Sequence, residues 1–189
     1  MCVILASSSP RRSELLAQVK CKFHAVNSAV EEDNEQALTP REIALGHAFA
    51  KAKDVAAHYP PGTVVIGADT IVVLDGKVFG KPSNEADAAA MLTALSGRKH
   101  QVMTGIAVLQ DESVLLDCPV TQVYMKELMQ DSIAAYVASG EPMDKAGAYG
   151  IQGLGALLVE KIDGCYFNVV GLPLQALAAL LEQVGVKLL

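Results

Sequence analysis

The sequence predicts an α/β fold in which a mixed, twisted sheet is flanked by helices. Three observations point there. Short apolar runs of strand length alternate with longer segments of helical period. Neighbouring runs meet at hairpin-type turns, Asp75-Gly76 and Asp163-Gly164, so the sheet is not wholly parallel. Of 189 residues, 51% are hydrophobic and 19% charged, enough to bury a sizeable core in one domain, undivided or with a modest second lobe.

Residues 3–6 form a first apolar strand. Ser7-Ser8-Ser9 then offers N-cap chemistry, Pro10 suits a first helical turn, and Leu15, Leu16 and Val19 give a helix over 10–19 its apolar face. Residues 23–26 read as a strand, followed by the acidic loop Glu31-Glu32-Asp33. Thr39-Pro40-Arg41-Glu42 has the form of a capping box and opens a helix to about residue 58, broken by Pro60-Pro61-Gly62. Residues 64–68 make a buried strand ending on Asp69, 71–74 continue it, and a hairpin leads to 77–79. A helix follows over 86–95, stopped by Ser96-Gly97.

The runs 101–110 and 114–123 read as two long paired strands around Asp111-Glu112. A helix over 131–139 precedes a glycine-rich loop over 145–155. Strands over 157–162 and 168–170 flank Asp163-Gly164, and a helix over 173–184 closes the pattern.

Charge and cysteine usage narrow the functions. Fifteen Lys and Arg against twenty-one Asp and Glu give a formal charge of −6, which repels polyanions and argues against a nucleic-acid polymer as partner. Phosphate chemistry must come from a few cations focused in a cleft. Cys2, Cys21, Cys118 and Cys165 are far apart, without zinc-type spacing, and read as reduced thiols. The order of charge and apolar residues at 1–12 is wrong for a secretory signal, and no apolar run is long enough to span a bilayer. A cytoplasmic protein without membrane contact is expected.

Five motifs carry candidate chemistry. Ser7-Ser8-Ser9-Pro10-Arg11-Arg12 sets small hydroxyls and two guanidiniums at a helix start, where free N–H groups favour anions; it reads equally as an ordinary serine cap. Asp69, after an apolar strand, stands where α/β crevices open and could hold Mg²⁺ or polarise water, or merely cap a turn. Glu32 in the acidic loop is either solvated or a second metal carboxylate. Lys51 and Lys53 share a helix of which only one can join the apolar face, and Lys81 between Gly80 and Pro82 is a rigid point charge suited to phosphate. In Asp144–Gly155 four glycines imply close approach of a partner, and Gln152 offers the donor and acceptor that read a base edge.

The ordered set LASSSPRRSELL, GADTIVV, GKP, LSGRKHQVMTG, GEPMDKAGAYGIQG and VVGLPL resembles the Maf family of nucleotide pyrophosphatases along nearly the whole chain. The resemblance implies a Maf/ITPase-like α/β fold, its lobes around a central cleft, and a homodimer. It implies hydrolysis of a nucleoside triphosphate to monophosphate and pyrophosphate with a divalent metal (Mg²⁺, Mn²⁺ or Co²⁺). On that basis Asp69 is the catalytic proton acceptor. Ser7, Arg11, Arg12, Lys51 and Lys81 bind phosphate, and Glu32 with Asp69 holds metal. Arg11, Thr70 and Gln152 choose the base. The fragment DKAGAYGIQG looks like the branch acting on dTTP and UTP. Thymine and uracil share O2, N3–H and O4, so one amide at Gln152 serves both. Two rivals stay open: a non-catalytic nucleotide-binding regulator of septum formation, and a phosphatase releasing terminal phosphate.

Overall fold

The computed structural model describes residues 2–30 and 38–189, so Glu32 and its acidic neighbours Glu31 and Asp33 lie outside the described residues. In chain order the elements are β1 (Val3–Ala6), α1 (Pro10–Gln18), β2 (His24–Val26), α2 (Pro40–Ala56), β3 (Val64–Leu74), β4 (Lys77–Phe79) and α3 (Glu85–Leu95). There follow β5 (Lys99–Gln110), β6 (Ser113–Asp117), β7 (Val120–Met125), α4 (Gln130–Ala138), β8 (Val159–Asp163), α5 (Tyr166–Val170) and α6 (Leu174–Gln183). Three short 3₁₀ turns occupy the glycine-rich stretch between α4 and β8. The eight described strands form one mixed sheet in the order β2-β1-β3-β5-β7-β8, with β4 on β3 and β6 on β5. No helix among the described residues is long and apolar enough to cross a membrane.

The long strands β3 and β5 pair antiparallel over their shared length, with Asp69 opposite Gly105 and Thr70 opposite Thr104. Their outer partners are shorter. Along β3, parallel β1 ends at Gly67 and antiparallel β4 begins at Val72. Residues 68–71 therefore have no strand partner on that side among the described residues, and the cleft opens into this gap.

Alternation along β3 divides the core. Val64, Ile66 and Ala68 face α1 and α6, packed against Leu15, Leu16, Leu177 and Leu181. Further along the same face, Val72 and Leu74 join a second cluster with α3 and α4, built on Leu92, Leu95, Ile133 and Tyr136. Thr70 stands between the two. The opposite face, bearing Val65, Ile71 and Val73, is covered by α2.

Helix α2 starts with the capping box its sequence suggests: the Glu42 N–H donates to Thr39 Oγ1 and the Thr39 N–H donates to Glu42 Oε2 at 2.8 Å. It then lies unusually close to the sheet, because the contact is alanine on glycine. A Cβ on Gly67 would collide with the Ala48 carbonyl and come within 2.9 Å of the Ala52 Cβ. One on Gly105 would collide with the Ala44 carbonyl. Ala44, Ala48 and Ala52 recur every four residues, so they form one row over these glycines. The adjacent row, Ile43, His47 and Lys51, is also buried.

Three expectations need correction. Asp69 does not end a strand; β3 runs unbroken from Val64 to Leu74, and the end that matters is that of β1 beside it. The partner of β5 is not one strand over 114–123. It is interrupted at Cys118-Pro119, where proline has no N–H for the ladder and the Asp117 side chain takes the Cys118 N–H. Residues 168–170 are helical rather than extended, since a short apolar run carries no period that tells the two apart. Tertiary contacts decide it. The buried Asn168 amide donates to Val102 O and Thr121 Oγ1 from inside α5, and Gly171 at φ 123° ends the helix.

Two predictions follow from this packing. Gly67→Ala or Gly105→Ala should destabilise the fold by about 1–3 kcal/mol or more, because backbone rather than a flexible side chain must yield; urea denaturation measures it. His100, 2% exposed on β5, meets the Tyr149 hydroxyl at 2.6 Å, and burial pushes its pKa from 6.5 down to about 4. The unfolded chain then takes up the proton first as pH falls. This contribution is full above about pH 6.5 and lost progressively towards pH 4, about 2 kcal/mol by pH 5. His100→Gln should flatten that part of the pH–stability curve.

Candidate active site

A cavity of about 600 Å³ opens where β1 ends and β3 has no strand partner among the described residues. Its described wall carries five cations, Arg11, Arg12, Lys51, Lys81 and Lys145, against two carboxylates, Asp69 and Asp144. An acidic chain thus gathers positive charge in one crevice, at the carboxyl end of a strand as in open α/β sheets generally.

At one end stands Arg12. Its Nε donates to Gly171 O at 2.8 Å, one Nη to Ser7 Oγ at 3.2 Å and the other to Thr70 Oγ1 at 3.1 Å. Three acceptors from three elements fix the plane of the guanidinium. Ser7 is buried, and its Oγ also accepts the Ser9 N–H at 3.2 Å. Ser9 is the N-cap residue of α1, yet its own side chain makes no capping bond. Thr70 is tied further: Thr104 donates its hydroxyl to Asn168 O, so the Thr70 hydroxyl donates to Thr104 Oγ1 at 3.0 Å.

Asp69 is buried, and both its oxygens are engaged from α2. Lys51 Nζ donates to Oδ1 at 2.6 Å, and His47 Nδ1 lies 3.1 Å from Oδ2. Burial alone would raise its pKa. The hydrogen bond from His47 and the charges of Lys51 and Arg12 outweigh it and hold the carboxyl below the usual carboxylate range. Asp69 is therefore an anion at neutral pH.

At the other end, Arg11 crosses the cleft to Asp144, with Nη1 to Oδ2 at 2.8 Å. Lys145 Nζ reaches the other oxygen of Asp144 at 2.6 Å. The glycine-rich loop behind them is stapled by Glu141, whose carboxylate accepts the Tyr136 hydroxyl at 2.9 Å and the N–H groups of Leu154 and Gly155 at 3.0 Å. Burial works against that charge, but these donors and Lys145 hold the Glu141 carboxyl below its ordinary range. Gln152, within the loop, lines the cavity.

Ser7, Arg11, Arg12, Lys51, Asp69, Thr70, Lys81 and Gln152 thus surround one cavity. Lys51 is buried against Asp69 while Lys53 is exposed, so the helix face chooses between them. Lys81 is exposed on the cavity wall. Glu32 lies outside the described residues, and no group of three His, Cys, Asp or Glu suited to a metal occurs among those described. Sequence reasoning missed His47, Glu141, Asp144 and the Gly171 carbonyl. His47 carried a signal, since it precedes Lys51 by four residues on one helix and so shares its face; the other three depend on contacts distant in sequence.

A family profile described as "Maf-like protein" matches residues 2–184. The chain belongs to the Maf-like family. Its curated Maf-like relatives include a dTTP/UTP pyrophosphatase of Acetivibrio thermocellus, 51% identical over 99% of this chain and 97% of that one. A second dTTP/UTP pyrophosphatase, from Dictyoglomus thermophilum, is 48% identical over 99% and 98%. Among solved structures, the Ham1 protein of Staphylococcus aureus superposes with a TM-score of 0.55 at 13% identity, covering 97% of this chain and 99% of that one. That likeness concerns the fold alone, and it places the Maf-like chain among mixed α/β sheets flanked by helices.

The staple gives a prediction. In Glu141→Gln one carboxylate oxygen becomes an amide donor facing a backbone N–H, that of Leu154 or of Gly155. The fold should lose about 1–3 kcal/mol, read by urea denaturation, and limited proteolysis should cut the 145–155 loop faster.

Proposed function

We propose that this chain is a nucleoside triphosphate pyrophosphatase that hydrolyses dTTP and UTP, or modified pyrimidine nucleotides, to the monophosphate and pyrophosphate. The observation that carries the reading is the buried, ionised Asp69 set against a cleft lined by Arg11, Arg12, Lys51 and Lys81. The names of its half-identical relatives support the substrate.

The triphosphate lies across the turn at Ser7, with Arg12 held flat to meet its oxygens and Lys51 and Lys81 neutralising it. Water attacks the α-phosphorus, the bond to the bridging oxygen breaks, and pyrophosphate leaves. Asp69 accepts the water's proton. Its low proton affinity in the resting site comes partly from Lys51. As Lys51 turns to the phosphates, Oδ1 is released from that contact and left facing the cavity, open to the water's proton or to the cation. One cation thereby serves both ends of the reaction.

A divalent cation fits this donor set: a carboxylate held ionised on a cavity wall is the hard oxygen ligand that Mg²⁺ takes alongside substrate phosphates and water. Asp69, with Glu32, would hold it, and bound Mg²⁺, Mn²⁺ or Co²⁺ supplies Lewis-acid neutralisation of charge on the phosphates. Arg11, Thr70 and Gln152 select the base, with Gln152 pairing the edge common to thymine and uracil. A pocket that tolerates the extra methyl separates the two by only about 1–3 kcal/mol. We read the chain as a single domain of two lobes about the cleft, working as a cytoplasmic homodimer in nucleotide house-cleaning or a division-linked role.

The test is a nucleotide panel with Mg²⁺, Mn²⁺ and Co²⁺ and analysis of products. Monophosphate plus pyrophosphate from dTTP and UTP is expected; diphosphate plus phosphate marks a terminal phosphatase, and no metal-dependent release marks a pure nucleotide binder. Asp69→Asn should lower turnover on dTTP by about 10²-fold or more, and near-native turnover removes Asp69 from the reaction.

A further inference from the structure

We propose that His47 is a positioning residue for the reaction, fixing through Nδ1 the plane of the Asp69 carboxylate. The inference rests on the proton-accepting role of Asp69 given above and adds to it the group that sets Asp69's geometry.

The reason lies in the two rows of α2. Gly67 and Gly105 let the Ala44, Ala48 and Ala52 row touch the sheet, which brings the neighbouring row within hydrogen-bond reach of β3. His47 and Lys51, one turn apart, then take one oxygen of Asp69 each. The two contacts differ in kind. Lys51 lines the cavity and stands to be drawn towards phosphate, whereas His47 is buried and does not line the cavity. An ionised carboxylate only accepts, so the proton of this contact belongs to His47 Nδ1. When Lys51 turns to the substrate, the His47 bond is what still keeps Oδ2 in place and Oδ1 aimed at the cavity. A leucine of similar bulk would fill the space and leave the carboxylate free to rotate about χ2, a broad torsion with no strong preference of its own.

The experiment compares His47→Leu, His47→Asn and His47→Gln with the native chain and Asp69→Asn, using dTTP and Mg²⁺. Asparagine sets its amide nitrogen where imidazole Nδ1 sits; glutamine sets it one bond further out. Expected is a kcat lowered roughly 10- to 100-fold in His47→Leu with KM changed less than about threefold, the usual scale for loss of a group that orients an active ligand. His47→Asn should recover most of that loss and His47→Gln should not. If the leucine variant fails to fold, the Asn–Gln contrast, between two polar side chains, still decides. Native kcat in His47→Leu, or equal kcat in folded His47→Asn and His47→Gln, overturns the proposal. An inactive Asp69→Asn beside a fully active His47→Leu overturns it alone, whereas an active Asp69→Asn overturns the role of Asp69 itself and with it any role for His47.

Discussion

The contact of an alanine row on two sheet glycines sets the rest of this structure. A helix is normally held off from the sheet it covers by the side chains on both surfaces. At Gly67 and Gly105 there is nothing on the sheet to hold α2 off, and the alanines add only methyl groups. The approach carries two polar side chains into a buried place where Asp69 can satisfy them. Burying a lone carboxylate would be prohibitive, but here it arrives with a hydrogen bond to each oxygen. Packing and electrostatics thus depend on the same two missing Cβ atoms.

The remaining charges of the cleft are likewise partnered before any substrate arrives. Arg12 rests on a carbonyl and two hydroxyls, and Arg11 and Lys145 share Asp144. Dipoles fixed by covalent structure and hydrogen bonds need little reorganisation when charge develops on a phosphate, the condition under which positioned groups contribute most to rate. Arg11–Asp144 is a different kind of contact. Asp144 is 60% exposed, so the pair is worth little to stability and can be exchanged at small cost for a ligand.

Much of this was legible in the chain itself, and the exceptions have physical causes. The capping box at Thr39 and Glu42 and the first strand and helix are local, set by residues within a turn of one another. So is the choice of Lys51 over Lys53, which needs only the helical period. Asp69 was recognised as a candidate, but its place inside β3 was not, because strand length depends on which neighbours stop. The helix at α5 reflects Asn168 reaching Val102 and Thr121, and no local pattern encodes that. Ser9 takes the N-cap position without a side-chain cap, while its N–H donates to Ser7 Oγ, which is held in turn by Arg12, a residue fixed from β3 and the α5 terminus; none of those long-range contacts is encoded locally.

The gap along β3 has one more consequence. A strand edge bare of partners is a template on which other chains can pair, and proteins usually guard such edges with charge, proline or a bulge. Among the described residues the bare stretch is four residues long, closed by β1 at one end and by β4 at the other. It lies at the bottom of a crevice rimmed by cations. A nucleotide can enter it, but another strand has neither the length to pair nor the room to lie down. The opening that admits a ligand is, by its size, closed to aggregation.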